Sequence, residues 1–129
     1  WKNWLKMKLI DSNVLAYAFY SNEKTEICQN VLREGGVVDT FNLIEAFFII
    51  EKENSREMAI EAIKTIYKLN IKIIEVDMNL IFESLKTAKK YNLKIYDLIH
   101  YTTAKLYGCK SIISYDKHFD QVDIKREEP

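Results

Sequence analysis

The stretch IKIIEVDMNLIFESLKTAKKY at residues 71–91 shows a strand followed by a helix. Its first six residues are rich in β-branched side chains and lie between Asn70 and Asp77, which is typical of a short strand. Asp77 is placed to cap a helix that we expect to continue to Tyr91. Apolar side chains recur in that segment at Leu80, Ile81, Leu85 and Ala88. This spacing is helical, so the stretch predicts one β–α unit.

The same alternation extends in both directions along the chain. Further strands are expected at residues 7–11, 37–40, 111–115 and, as a last edge strand, 123–126. Helical patterns fill the intervals, with Asn22 and Asn42 as expected N-caps and Gly35-Gly36 as an expected helix stop. This order predicts a three-layer α/β/α fold with a central, mostly parallel, twisted sheet of four to five strands.

Length and composition limit the classes of protein that the chain can belong to. We expect one domain over residues 7–129, with residues 1–6 as an upstream or added segment. Cys28 and Cys109 are far apart and lack the spacing of a zinc site. No segment has the roughly 18 apolar residues of a membrane span, so we expect a cytoplasmic protein with no membrane contact.

The formal net charge is zero, which argues against a general basic field for holding nucleic acid. Any contact with a polynucleotide must therefore be local. The densest basic segment is KTAKKYNLK at residues 86–94. It is open to two interpretations, a solvated helix face or a patch that follows phosphates.

Four acidic residues close a strand-like run or open the helix after it: Asp11, Glu45, Asp97 and Asp116. An open α/β sheet would gather them at the edge where such folds bind ligands. Oxygen-only ligands suit Mg²⁺ or Mn²⁺, ions that assist the cleavage of phosphate esters. Each acid also has an ordinary alternative. Asp11 would cap a helix, and Glu45 would complete a capping box begun by Asn42. Asp97 would be stabilised by the dipole at the start of its helix, and Asp116 would form an Asx-turn.

Three blocks of the sequence together resemble the PIN domain, the nuclease fold of VapC-type toxins in toxin–antitoxin pairs. They are LIDSNVLAYAF (9–19), NLIEAFFII (42–50) and IYDLIHYTTAKLYGCKSIISYDKHFDQV (95–122). The resemblance runs from Met7 to about Ile124. The residues that match the family pattern are Asp11 with Ser12 and Asn13, Glu45, Asp97, and Asp116 with Ser114 two positions before it.

The resemblance implies a Mg²⁺- or Mn²⁺-dependent endoribonuclease that is the toxin of such a pair. Asp11, Asp97 and Asp116 would hold the first ion, and Glu45 would bind a second ion or orient the attacking water. Asn13 and Ser114 are candidates for hydrogen bonds to the scissile phosphate or to water at the metal. Local turn hydrogen bonds are the alternative for both.

One position departs from the family pattern. Many relatives carry a further acid two residues after the position of Asp116, where this chain has His118. The second ion would then be absent or held by Asp120. His118 itself is open as a metal ligand, a group facing the substrate, or a solvated turn residue, whereas His100 is expected to be structural.

Two other functions fit parts of the sequence. One is a non-catalytic PIN-fold module that acts through protein contacts. The other is a phosphoacceptor similar to a receiver domain, which the lack of a second acid beside Asp11 disfavours. The expected partners of the leading hypothesis are an RNA substrate, a second copy of the chain and an antitoxin.

The expectation of protein partners rests on one helical segment. Residues 47–50, FFII, place apolar side chains nearly all round a helix. Core packing, a homodimer face or a groove for an antitoxin segment would each explain this pattern. We expect a homodimer.

Overall fold

Five short strands form one parallel sheet in the computed structural model, which describes residues 7–129. They are β1 (Lys8–Ile10), β2 (Gly36–Asp39), β3 (Ile71–Ile74), β4 (Ser111–Ile113) and β5 (Lys125–Glu127). Their order across the sheet is β3-β2-β1-β4-β5, and every neighbouring pair is parallel. The predicted three-layer α/β fold is confirmed. Residues 1–6, predicted to be an upstream or added segment, lie outside the described residues.

Helices connect the strands on both sides of the sheet. In residues 7–129 they are α1 (Ser12–Tyr17), α2 (Thr25–Glu34), α3 (Thr40–Glu53), α4 (Arg56–Lys68), α5 (Met78–Leu85), α6 (Ile95–Leu106) and a 3-10 helix (Lys117–Gln121). Crossover helices of this kind are what parallel strand pairs require. No helix in this part of the chain is long and apolar enough to cross a bilayer.

The core has two parts because successive strand residues point to opposite faces of the sheet. Ile10 and Ile113 pack on one face against α1 to α4. Their neighbours Leu9 and Ile112 pack on the other face against α5 and α6. Both faces are therefore covered, which explains why the central strands β1, β2 and β4 are short and largely buried.

The order of the strands places a topological switch beside β1. From β1 the chain moves outward to β2 and β3, and it then returns to β4 on the other side of β1. Neighbouring strands with opposite onward connections leave a crevice at their carboxyl ends. Asp11 follows β1 and Ser114 follows β4, so both lie at this crevice.

Three predicted helix boundaries are wrong. The N-cap of α2 is Lys24, while the Asn22 side chain accepts a hydrogen bond from the Lys24 amide just before the helix. Helix α3 begins directly after β2 with Asp39 as N-cap, so Asn42 is its third residue and closes a capping box. Helix α5 ends at Leu85, well before Tyr91.

Candidate functional site

Asp11 and Asp116 are tied together across the ends of two neighbouring strands. Asp11 is buried and accepts a hydrogen bond from the Ser12 amide at 2.8 Å. The buried Ser114 hydroxyl donates to Asp11 Oδ2 at 2.6 Å and accepts from the Asp116 amide at 2.9 Å. The Ser114 hydroxyl therefore uses its proton and one lone pair within the protein. This favours a role for Ser114 in linking Asp11 to the main chain of Asp116, rather than the predicted contact with a phosphate.

Glu45 reaches the same region from helix α3. The Ser12 hydroxyl donates to Glu45 Oε1 at 2.7 Å, and the Asn42 amide group donates in turn to Ser12 Oγ at 3.0 Å. The capping-box alternative for Glu45 is wrong, since Asp39 and Asn42 form that box with each other. Glu45 is therefore free of any duty at the helix end.

Asp97 lies in the first turn of α6, with Asp116 and His118 close to it. Each of the three residues offers one ligand atom, and these atoms lie within 4.8 Å of one another. Ligands about 2.1 Å from one Mg²⁺ ion lie at most about 4.2 Å apart, so a small closure of the side chains would suit such an ion. Asp120 is not in this cluster; it forms an ion pair with Arg126 at 2.9 Å.

The pKa values of Asp97 and Asp11 are raised by burial and by the negative charges nearby. Burial raises the pKa of Asp97 to about 6; the charge of His100 opposes this shift, and the charges of Asp11, Asp116 and Glu45 reinforce it. Burial also raises the pKa of Asp11, against the charge of His100 and the hydrogen bonds from Ser114 and Ser12. The four predicted acids thus act on one another, and the cleft between them favours a cation.

His100 is completely buried and joins this network from α6. Its Nδ1 donates to Asp39 Oδ2 at 2.7 Å, and its Nε2 donates to Glu45 Oε1 at 2.5 Å. Burial alone would lower the pKa of His100, but the hydrogen bonds and charges of Asp39 and Glu45 raise it to about 10. His100 therefore carries a proton on both ring nitrogens at neutral pH.

The same contacts act on Glu45. Burial works to raise the pKa of Glu45, but the hydrogen bond and charge of His100, together with the hydrogen bond from Ser12, outweigh it and lower the pKa. Glu45 is consequently ionised at neutral pH. An ionised carboxylate beside the Asp97 cluster is the form that can accept a cation or a water proton.

Sequence reasoning missed Asp39 as a member of the site. Asp39 ends β2 as Asp11 follows β1, so the rule that selected Asp11 applies equally to Asp39. His100 lies one helical turn after Asp97, on the same face of α6, which was the signal for its place in the network. Asn13 is half-buried, and its predicted contact with a substrate stays a prediction.

The donors present fit a hard divalent cation. Asp97 and Asp116 supply carboxylate oxygens, and Asp11 and Glu45 add negative charge around them. Oxygen-rich sites of this kind suit Mg²⁺ or Mn²⁺, and Mn²⁺ also tolerates an imidazole such as that of His118.

Solved structures of other proteins share the fold. A sarcin-ricin loop cleaving toxin, VapC20 from Mycobacterium tuberculosis, is 9% identical with a TM-score of 0.80, covering 94% of this chain and 98% of that chain. VapBC2 from Rickettsia felis, bound to a promoter DNA fragment, is 12% identical with a TM-score of 0.72, covering 95% and 98%. A toxin–antitoxin complex from Klebsiella pneumoniae is 18% identical with a TM-score of 0.64, covering 85% and 87%.

Comparison of the sequence with protein families is decisive. No curated protein matches the chain. A family profile described as the PIN domain, however, matches residues 8–125, which is most of its length. The chain therefore belongs to the PIN domain family.

Proposed function

We propose that this PIN-domain protein is a Mg²⁺- or Mn²⁺-dependent endoribonuclease that acts as the toxin of a toxin–antitoxin pair. The observation that carries the proposal is the cluster of Asp97, Asp116 and His118, surrounded by the charges of Asp11 and Glu45. A phosphodiester is anionic, so the acidic cleft would repel it unless a cation lies between the carboxylates and the phosphate.

Each acid has a distinct part in the proposed reaction. Asp97 and Asp116 hold the ion, and Asp11 is linked through the Ser114 hydroxyl to the main-chain amide of Asp116. A bound divalent ion supplies Lewis acidity toward the phosphoryl oxygen and makes water easier to deprotonate. Glu45, ionised and fixed on one oxygen by two donors, orients the attacking water or binds a second ion.

The substrate class is RNA in this proposal. VapC20, whose fold this chain shares, is described as a toxin that cleaves the sarcin-ricin loop. The chain has no net charge, so substrate affinity would depend on the ion and on a few local lysines. Single-stranded or loop RNA fits best, because its unpaired bases can be splayed out and its backbone can bend into a cleft, whereas a paired helix is rigid.

Partner proteins are also part of the proposal. Apolar side chains on α3 are open to solvent, with Ile44 56% and Phe48 62% exposed. An apolar groove of about 510 Å³ lies between α3 and α4, lined mainly by Phe41, Leu43, Ile44, Phe47, Ile60 and Ile63. We propose that the exposed Phe48 contacts a second copy of the chain and that the groove, which Ile44 borders, takes an antitoxin segment.

One observation favours a second candidate function, the non-catalytic module. The close cluster contains an imidazole, His118, where many relatives are expected to carry an acid. Fewer carboxylates bind Mg²⁺ more weakly. A protein of this kind would keep its partner contacts and cleave no RNA.

RNA cleavage separates the two candidates. Purified protein should cut single-stranded RNA with Mg²⁺ or Mn²⁺ and should lose this activity in excess EDTA. Asp97→Asn should be inactive, whereas Asp77→Asn should be fully active, because Asp77 only caps α5 and Asn caps a helix equally well. Cleavage that persists in EDTA, or that is equal in both variants, would contradict the proposal; no cleavage by the wild type would favour the non-catalytic module.

A further inference from the structure

His100 connects two carboxylates near the start of α3, those of the N-cap Asp39 and of Glu45 six residues later. Its ring is completely buried. One ring nitrogen contacts Asp39, and the other contacts Glu45. Asp39 begins α3 and Glu45 lies further along it. A ring with both nitrogens bound cannot rotate or shift without breaking one of these bonds.

Asp39 is itself fixed by the main chain. Its Oδ1 accepts from the Asn42 amide at 2.9 Å, and its Oδ2 accepts from His100 Nδ1 at 2.7 Å. The side chain is completely buried. Asp39 therefore holds the His100 ring in one orientation. The fixed ring in turn restricts the carboxylate that its Nε2 contacts, which is that of Glu45.

Glu45 is the residue that His100 holds in place. Its side chain is 31% exposed, so one part faces the buried His100 and another part is open to solvent, where it lines a small pocket with Phe41 and Tyr96. Both donors found for it, Ser12 Oγ and His100 Nε2, use the same oxygen, Oε1. A glutamate free of such bonds would sample several rotamers and lose entropy on binding an ion or water.

We infer that Asp39 and His100 form a positioning pair, which holds Glu45 Oε1 and leaves Oε2 for the cation or water of the cleft. The inference rests on the proposed function, because it assigns Glu45 a task there. It adds two residues that do not touch the reacting groups. Residues that orient a metal ligand in this way typically change metal affinity about 10–100-fold when they are replaced.

Positioning and simple charge balance predict opposite results. If His100 served only as a positive charge among acids, its removal would leave the cleft more negative and would tighten the binding of a cation. If His100 positions Glu45, its removal would weaken binding. The sign of the change in Mn²⁺ affinity therefore distinguishes the two roles.

Two substitutions of His100 form a matched pair. The amide nitrogen of Asn lies near the position of Nδ1 and keeps the contact with Asp39, whereas that of Gln lies near Nε2 and keeps the contact with Glu45. Both variants lose the ring and the charge. His100→Gln should bind Mn²⁺ within about threefold of wild type, and His100→Asn should bind it at least about tenfold more weakly.

Binding is measured by Mn²⁺ electron paramagnetic resonance on RNA-free protein, with melting temperatures recorded in parallel. In cleavage assays, His100→Asn should lower kcat and leave the KM for RNA unchanged. The control is Thr102→Val on the same helix. Thr102 is buried, and its hydroxyl has no hydrogen-bond partner within residues 7–129, so its loss should leave affinity and kcat unchanged.

Several outcomes would overturn the inference. They are equal affinity losses in the two variants, a smaller loss in His100→Asn than in His100→Gln, or tighter binding in both. A wild type that binds Mn²⁺ and cleaves RNA while His100→Asn does the same would refute the positioning pair alone. A wild type that binds no Mn²⁺ would refute the proposed function and the inference together.

A measurement on the wild type covers the case in which the variants fail to fold. The buried ring of His100 should give two slowly exchanging N–H signals in long-range ¹H–¹⁵N spectra, because both nitrogens donate to carboxylates. Saturating Mg²⁺ should shift the Nε2–H signal, which reports on Glu45, more than the Nδ1–H signal. An Nε2–H signal that does not move on Mg²⁺ binding would overturn the inference.

Discussion

At the scale of single residues, the acidic cleft stores an electrostatic cost that a cation can remove. Two carboxylates about 4 Å apart repel by roughly 4 kcal/mol at an effective dielectric near 20. Stabilities of whole domains are only about 5–15 kcal/mol. Burial is the largest cause of the raised pKa of Asp97, and the charges of Asp11, Asp116 and Glu45 add to it, so repulsion accounts for part of the shift.

Neutralising one acid should therefore abolish activity without loss of stability. Asp97→Asn and Asp116→Asn are each expected to cleave no RNA, yet to melt at or above the temperature of metal-free wild type. Mg²⁺ at about 100 times its Kd should stabilise wild type by about 2.7 kcal/mol and the variants much less. Thermal unfolding with and without Mg²⁺ checks this. A variant that melts well below metal-free wild type would show that its acid is chiefly structural.

Stability of the metal-free protein should also depend on pH through Asp97. Its folded pKa of about 6 lies above the ordinary value of 3.8, so the folded state binds this proton more tightly than the unfolded state does. Lowering the pH from 7 to 5 should thus raise the contribution of Asp97 to stability, with little further gain below about 4. Urea unfolding in EDTA, compared between wild type and Asp97→Asn, isolates the effect. A difference between the two proteins that stays flat with pH would contradict it.

At the scale of elements, the alternation of strand and helix was predictable because β1 to β4 are short, mainly apolar runs between polar residues. The junction of β2 and α3 was not. Asp39 reads as part of the strand, and both Asp39 and Asn42 are good caps, so no local pattern shows that the helix starts at Thr40. The end of α5 was missed for a tertiary reason: Tyr91 leaves the helix and packs against Tyr101, with ring centroids 5.3 Å apart.

The end of α2 was predictable from Gly35, and it offers a quantitative test. Gly35 has φ +84° and ψ −179°, a conformation available almost only to glycine. A Cβ there would lie 2.5 Å from the carbonyl oxygen of Asn70, whereas a Cβ at Gly108, with φ +66°, would meet no atom within 4 Å. Gly108→Ala should cost about 1–2 kcal/mol from backbone strain alone.

Gly35→Ala should lower the free energy of unfolding by about 1–3 kcal/mol more than Gly108→Ala does, because the main chain at Asn70 must move. Urea denaturation of the two variants gives both free energies of unfolding. Equal losses would show that the close approach of Gly35 to Asn70 does not exist in solution.

At the scale of the whole molecule, the strand order assembles the site from distant segments. The acids were predictable because the carboxyl ends of parallel strands share one edge. The contact of His100 with Asp39 spans 61 positions and follows from the packing of α6 beside β2, which no local motif encodes. A buried histidine without a visible partner in sequence is thus easily taken for an ordinary core residue.

The exposed apolar side chains of α3 predict a dimer. Light scattering should give about twice the chain mass of 15.3 kDa. Phe48→Lys should give the monomer with little change in melting temperature, because Phe48 is 62% exposed in one chain. Met78→Lys, at a similarly exposed position on α5, should remain dimeric. A wild type that is monomeric at high micromolar concentration would contradict the prediction.

We propose that Asp97 and Asp116 hold a divalent ion. Anomalous diffraction from crystals soaked in Mn²⁺, at a concentration that supports RNA cleavage, would locate such an ion. We predict an anomalous peak about 2.0–2.2 Å from a carboxylate oxygen of each residue. A soaked crystal with no peak between these two side chains would contradict the account.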